Sequence, residues 1–141
     1  MATFTKFNSF VEYLSEKVMN LESDTLKVMF TDTAPVAGNT VYANLVDLST
    51  ANGYTATGTA ATVSSSSQTS GTYKLVLADV TFTASGGSIG PFRYVVLYDD
   101  TPTSPADPLI GFWDYGAEVT VTNGNSFTVD FSAANGVLQI A

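Results

Sequence analysis

The segment "FRYVVLYDDTPTSPADPLIGFWDYG", residues 92–116, joins two apolar runs through an acidic, proline-rich connection. The first run is apolar on both faces apart from Arg93, which is typical of a central strand covered on two sides. The second run, from Pro108 onward, is expected to return beside the first as its antiparallel neighbour. The segment therefore predicts a long hairpin in the middle of a β-rich fold.

The flanking segments carry further strand patterns. Alternation of apolar residues predicts a strand around residues 26–31, and the Ser- and Thr-rich stretch 55–72 predicts a strand with a hairpin turn at "TSGT" rather than a flexible linker. Residues 73–82 are expected to form one long strand, with a bulge near Ala78 and Asp79. The two "NG" dipeptides, 123–124 and 135–136, predict hairpin turns.

The N-terminal region has a helical pattern instead. Its apolar residues are spaced as one face of a helix, namely Phe7, Phe10, Val11, Leu14, Val18 and Leu21. Ser9 and Glu12 have the form of a capping box, although Asn8 is a rival N-cap, so we expect a helix over about 9–20. A helical turn is expected after Asn39 or Thr40. The predicted fold is mainly β, an antiparallel, jelly-roll-like β-sandwich over 24–141 with an N-terminal amphipathic α-helix, in a single domain over 1–141.

The composition excludes several classes of function. The chain has no Cys and no His, which removes disulfides, thiolate zinc sites and the commonest general base. Its net charge of −8 has the wrong sign for binding phosphates, so nucleic acid is not an expected partner. No apolar run is long enough to span a bilayer and no signal-peptide pattern opens the chain, so we expect a soluble protein that does not engage a membrane.

The acidic residues of the central hairpin are the first candidate site. Asp99, Asp100 and Asp107 lie on one connection, and Asp114 and Glu118 lie on or after the returning strand, so these carboxylates could converge at one end of the sheet. Calcium prefers oxygen ligands of this kind, but the calcium-loop spacing is absent, and we favour a solvated loop without metal or other cofactor.

Two other features of this hairpin have alternative interpretations. Trp113 and Tyr115 could stack on a sugar beside a carboxylate pair, as in a carbohydrate-binding module or small glycosidase, although we favour a core or interface role. Arg93, isolated among apolar residues, is expected to form a structural salt bridge across the sheet or a subunit boundary.

The segments 24–36, 71–101, 107–116 and 123–141 resemble a family of small virion structural proteins of tailed bacteriophages. The resemblance rests on the "RYVVLYDDT" and "PLIG" parts of the hairpin, with Phe92 in place of a small residue, and on the closing strand with its "NG", Val and Leu. It implies that the hairpin is framework and its acidic tip a solvated or subunit-facing loop, and it supplies no catalytic residues.

The combined interpretation is a non-enzymatic capsid decoration, or cement, protein on the capsid exterior. It would bind neighbouring major capsid protein subunits, with a homotrimer as the expected oligomer. A tail, baseplate or fibre-adaptor protein is the alternative within virions, and a carbohydrate-binding module is the alternative from another class. The residues expected at subunit contacts are Phe10, Leu14, Val18, Arg93, Asp99, Asp100 and Asp107.

Overall fold

Residues 92–98 lie at the centre of a five-stranded sheet in a computed structural model that describes residues 2–141. The described chain is mainly β, and its strand pairs are antiparallel. The strands are β1 (Thr3–Lys6), β2 (Leu26–Thr31), β3 (Thr59–Ala61), β4 (Val63–Thr69), β5 (Thr72–Leu77), β6 (Val80–Thr83), β7 (Ile89–Asp99), β8 (Leu109–Val121), β9 (Ser126–Val129) and β10 (Leu138–Ile140). One α-helix, α1, spans Phe10–Ser15, and a short 3-10 helix spans Tyr42–Asn44.

Strand β7 is the centre of the largest sheet, whose order is β1-β8-β7-β2-β3. It pairs with β2 on one side, where Val95 faces Phe30, and with β8 on the other, where Val95 faces Trp113. The predicted central hairpin is therefore confirmed. The two remaining sheets have the orders β10-β5-β4 and β6-β9.

The five-stranded sheet has an apolar cluster on each face. The larger cluster contains β7 side chains such as Val95 and Leu97, together with Leu75 of β5 and Phe82 of β6, so all three sheets contribute to it. The smaller cluster contains the alternate β7 residues Tyr94, Val96 and Tyr98, with Phe7 and the 3-10 helix packed against them. The apolar character of both faces of β7, read from the sequence, follows from this two-sided cover.

The carboxylate of Asp47 holds the long connection between β2 and β3 in place. It accepts hydrogen bonds from the hydroxyls of Tyr42 (2.8 Å) and Tyr54 (2.5 Å) and from the backbone N–H of Thr57 (2.5 Å). Burial and the neighbouring Asp47 raise the pKa of both tyrosines, which therefore remain protonated donors. This connection carries the 3-10 helix, which confirms the helical turn expected after residue 40.

The N-terminal helix is shorter than the predicted 9–20. It ends in a Schellman motif, in which Lys17 adopts a φ of +64°, its N–H donates to Leu14 O, and the N–H of Val18 donates to Tyr13 O. The predicted capping box is also wrong, because Ser9 has helical backbone angles and its side chain makes no capping hydrogen bond. No glycine marks this end, so the spacing of apolar residues alone overestimated the helix.

Residues 73–82 form two strands rather than the single bulged strand expected. The break at Ala78 and Asp79 sends β5 and β6 into different sheets, and an Asp79 carboxylate oxygen accepts the backbone N–H of Phe131 (2.8 Å). The turn at Ser70 and Gly71 does join β4 to β5, as predicted. The two "NG" turns are present, but they do not close hairpins, because β9 pairs with β6 and β10 pairs with β5.

We expect Tyr54→Phe to lower the free energy of unfolding by about 1–3 kcal/mol, because it leaves a buried N–H without a partner. Phe30 belongs to β2 but lies past Val28, the last residue of β2 that pairs with β3. Its N–H therefore donates to the Tyr54 hydroxyl (3.1 Å) instead of to a neighbouring strand. Urea denaturation measures the change. Tyr42→Phe is the matched control, since it removes a bond to the same carboxylate from a half-buried ring, and an equal loss in both variants would contradict the account.

Candidate functional site

Three of the predicted carboxylates lie at one end of the central sheet. Asp99 ends β7, Asp100 follows it, and Asp107 closes the connection that leads into β8. Lys27 of β2 reaches Asp100 with 3.1 Å between Nζ and Oδ2. Burial and then the nearby Asp100 raise the pKa of Asp107, while Lys27 acts in the opposite direction.

Asp99 is the unusual member of this group because its side chain is fully buried. Its Oδ1 accepts the backbone N–H of Thr101 (3.1 Å), whereas Oδ2 faces no donor within residues 2–141. Burial, followed by the neighbouring carboxyl of Asp24, raises the pKa of Asp99 to about 8. Asp99 therefore keeps its proton at neutral pH, and its carboxyl is a neutral acid that can donate a hydrogen bond.

Asp114 and Glu118 do not join this acidic end, which corrects the expected convergence. Asp114 faces Tyr94 in the ladder, five residues along β8 from Leu109, which is about 17 Å in an extended strand. Glu118 lies still further along β8 and is exposed. Among residues 2–141, no group of three or more acidic side chains is arranged to hold a metal ion.

Arg93 forms the salt bridge expected across the sheet. Its guanidinium donates two hydrogen bonds to the Asp114 carboxylate, from Nε to Oδ1 (2.8 Å) and from a second nitrogen to Oδ2 (3.1 Å). The guanidinium lowers the pKa of Asp114, and Asp114 also accepts the N–H of Gly116 (2.7 Å). The pair therefore fixes the start of an irregular stretch of β8, residues 115–118, which has no matching residues on β7.

The helix residues predicted at subunit contacts are placed differently from one another. Phe10 is buried in the larger core cluster but also lies in the wall of the apolar groove described next, whereas Asp99 is fully buried. Leu14 is half-buried and lines an apolar groove of about 580 Å³ that also includes the exposed Val11. Val18 is half-buried outside that groove.

This groove lies between two sheet edges. Phe4 and Lys6 belong to β1, the edge strand of the five-stranded sheet, and Leu138 and Ile140 belong to β10, the edge strand of the three-stranded sheet. The outer backbone groups of an edge strand are available for pairing with another chain. The closing strand, β10, was predicted as a strand but not as a sheet edge, and β1 was not predicted, although a short alternation around Phe4 indicates it in the sequence.

A second cavity, of about 620 Å³, contains the two aromatic residues considered for sugar binding. Trp113 and Tyr115 line it together with Asp130, which the sequence did not single out. Asp114 and Glu118, the carboxylates nearest to these aromatic residues along β8, do not line this cavity. Asp130 is the one carboxylate among the described residues that line the cavity, whereas the usual glycosidase arrangement uses two.

Comparison of the chain with protein-family models, with curated proteins and with solved structures found no match. The resemblance to phage virion proteins therefore stays a prediction. No helix within residues 2–141 has the length and apolar character needed to cross a bilayer.

We expect the stability of the protein to fall as the pH rises from about 4 to about 8, because folded Asp99 keeps its proton over this window while the unfolded chain loses it. The slope from this group has an upper limit of about 1.4 kcal/mol per pH unit. Asp99→Asn keeps the acceptor for Thr101 and supplies a donor toward Asp24. The variant should lose most of the slope and be more stable than the original chain at pH 8.

Melting temperatures across this pH range provide the measurement. Glu118→Gln is the control, since it removes one exposed negative charge and should leave the slope unchanged. An identical slope in the Asp99→Asn variant would show that Asp99 is not the titrating group.

Proposed function

We propose that this chain is a non-enzymatic structural protein of a tailed-bacteriophage particle that decorates the capsid exterior. In this proposal it binds neighbouring major capsid protein subunits as a homotrimer at local three-fold positions. The antiparallel strands are proposed to form the jelly-roll-like sandwich predicted from the sequence.

The observation that carries the proposal is the apolar groove between the free edges of β1 and β10. Val11 and Ile140 are large apolar side chains that stay exposed there, at 49% and 43% of their full accessibility. A neighbouring protein that covered them would gain apolar burial and could extend either sheet with backbone hydrogen bonds. Such a contact is directional, and a symmetric lattice can repeat it many times.

The charge and composition of the chain suit this role. Only 13% of residues are charged, so much of the surface is Ser, Thr, Asn and Gly, which cost less to desolvate at repeated contacts than charged side chains do. The net charge of −8 opposes adhesion to packaged DNA. Many weak contacts on one particle provide retention through avidity, without a deep binding pocket.

The proposal is tested by co-sedimentation of the purified protein with capsids and, separately, with tails, each prepared from particles that lack it. Saturable binding to capsids in many copies per particle is the expected result. Binding to tails alone would assign the protein to the tail or baseplate, and binding to neither would reject a virion role.

The groove is tested by Val11→Asp, which places a charge on an exposed apolar position and leaves the core intact. Since burial of a valine is worth about 1.5–3 kcal/mol, we expect at least a tenfold loss of capsid affinity. Val46→Asp changes another exposed valine, 61% accessible and outside the groove, and should bind normally. Equal binding by the two variants would place the contact elsewhere.

A further inference from the structure

The cavity beside Trp113 has features that the decoration role does not use. It lies where β8, the end of β9 and the segment leading to β10 meet, and its volume of about 620 Å³ is within the range of small-molecule sites. Two half-buried aromatic rings, Trp113 and Tyr115, form part of its wall. The exposed Thr128, Asp130 and Ser132 supply polar groups.

The aromatic wall is held rigidly by its neighbours. The indole of Trp113 packs against Phe4, with ring centroids 5.0 Å apart, and against Phe131, at 5.8 Å. The ring of Tyr115 packs on Phe127 at 5.4 Å. Because these side chains are already ordered, a ligand that stacks on them would not have to immobilise them.

Several polar groups around the cavity have no partner inside the protein. Within residues 2–141, the Trp113 indole N–H, the Tyr115 hydroxyl and the Asp130 carboxylate make no hydrogen bond or ion pair. Asp130 lies close enough to Tyr115 to add to the rise in the pKa of that phenol, which is caused mainly by burial. The lining residues Trp113, Tyr115 and Asp130 thus carry donors and an acceptor next to apolar ring surface, which suits a ligand that has both polar groups and an apolar face.

The charge of the cavity narrows the ligand class. Asp130 is its one charged lining residue among those described, and no Lys or Arg lines it. Phosphate, carboxylate and sulfate ligands would be repelled by the carboxylate and by the net charge of the chain. An uncharged polyhydroxyl ring, which offers C–H groups to an aromatic face and hydroxyls to Asp130, matches the lining.

We propose that this cavity binds a neutral pyranose, as a free sugar or as a residue of a glycan, in addition to any structural role of the protein. Trp113 and Tyr115 stack on the sugar ring, and the Asp130 carboxylate accepts hydrogen bonds from its hydroxyls. The proposal does not depend on capsid binding, because the cavity and the apolar groove share no lining residue.

The sole tryptophan of the chain lies in the cavity, so its fluorescence reports on occupancy directly. We would titrate the full chain with methyl glucoside, methyl galactoside, methyl mannoside, N-acetylglucosamine, maltose and lactose, following both fluorescence and calorimetric heat. Glucose 6-phosphate and N-acetylneuraminic acid serve as anionic controls. Saturable binding of at least one neutral sugar at millimolar concentration, without binding of the anionic compounds, is expected.

Asp130→Asn should weaken that binding about tenfold, as expected when a charged hydrogen-bond acceptor becomes neutral. Tyr115→Phe should weaken it less, and Glu118→Gln, an exposed acid outside the cavity, should leave it unchanged. Absence of saturable binding to every neutral sugar in both measurements would overturn the proposal. Equal affinity of the Asp130→Asn variant and the original chain, or equal binding of anionic sugars, would overturn it as well.

Discussion

Residues 94–99 of strand β7 are shielded from water on both faces, and this burial constrains the rest of the chain. A strand of this kind must have hydrogen-bonded neighbours on both edges and an apolar layer above and below. Strands β2 and β8 are these hydrogen-bonded neighbours. The larger apolar layer draws on all three sheets, and the smaller one requires the β2–β3 connection that Asp47 ties down.

The same constraint concentrates the available chemistry at the margins of the sheet. At the end of β7, the side chain of Asp99 is buried near Asp24 and keeps its proton. Where β8 leaves the ladder, the Arg93–Asp114 pair fixes a bulge whose first residue, Tyr115, helps to form the aromatic cavity. Where the sheets end at β1 and β10, apolar side chains stay exposed next to unpaired backbone. Framework and candidate binding surfaces are therefore separate parts of the molecule.

The sequence predicted the parts of this arrangement that depend on local pattern. The apolar run 92–98 and the "TSGT" turn identified the central hairpin and the β4–β5 hairpin, because neighbours in sequence are also neighbours in the sheet. Patterns failed where the partner is distant. The two "NG" turns have the local chemistry of hairpins, but pairing of β9 with β6 and of β10 with β5 is decided by burial against the whole core. Lys17 ends the helix in a left-handed backbone conformation that glycine usually adopts, so no residue type in this segment indicated the helix end.

The candidate sites were predictable to a similar extent. The pairing of Arg93 with an acidic residue across the sheet was predicted from its isolation as the one charge in an apolar strand, and Asp114 is that partner. The carboxylates of Asp114 and Glu118 were assigned to the wrong place, because distance along a returning strand was not considered. Asp47 and Asp130 were not identified at all. Each is a single acid in an ordinary polar segment, and only the folded chain brings their tyrosine neighbours to them.

A rigid centre at β7 and a proposed binding margin at β1 and β10 are distinct parts of the molecule, and amide hydrogen exchange of the free protein and of the protein mixed with capsids tests that separation most directly. We expect β7 amides to be strongly protected in both states, and the amides of β1, α1 and β10 to gain protection only on the capsid. Protection gained instead in the acidic connection between β7 and β8, with β1 and β10 unchanged, would contradict it.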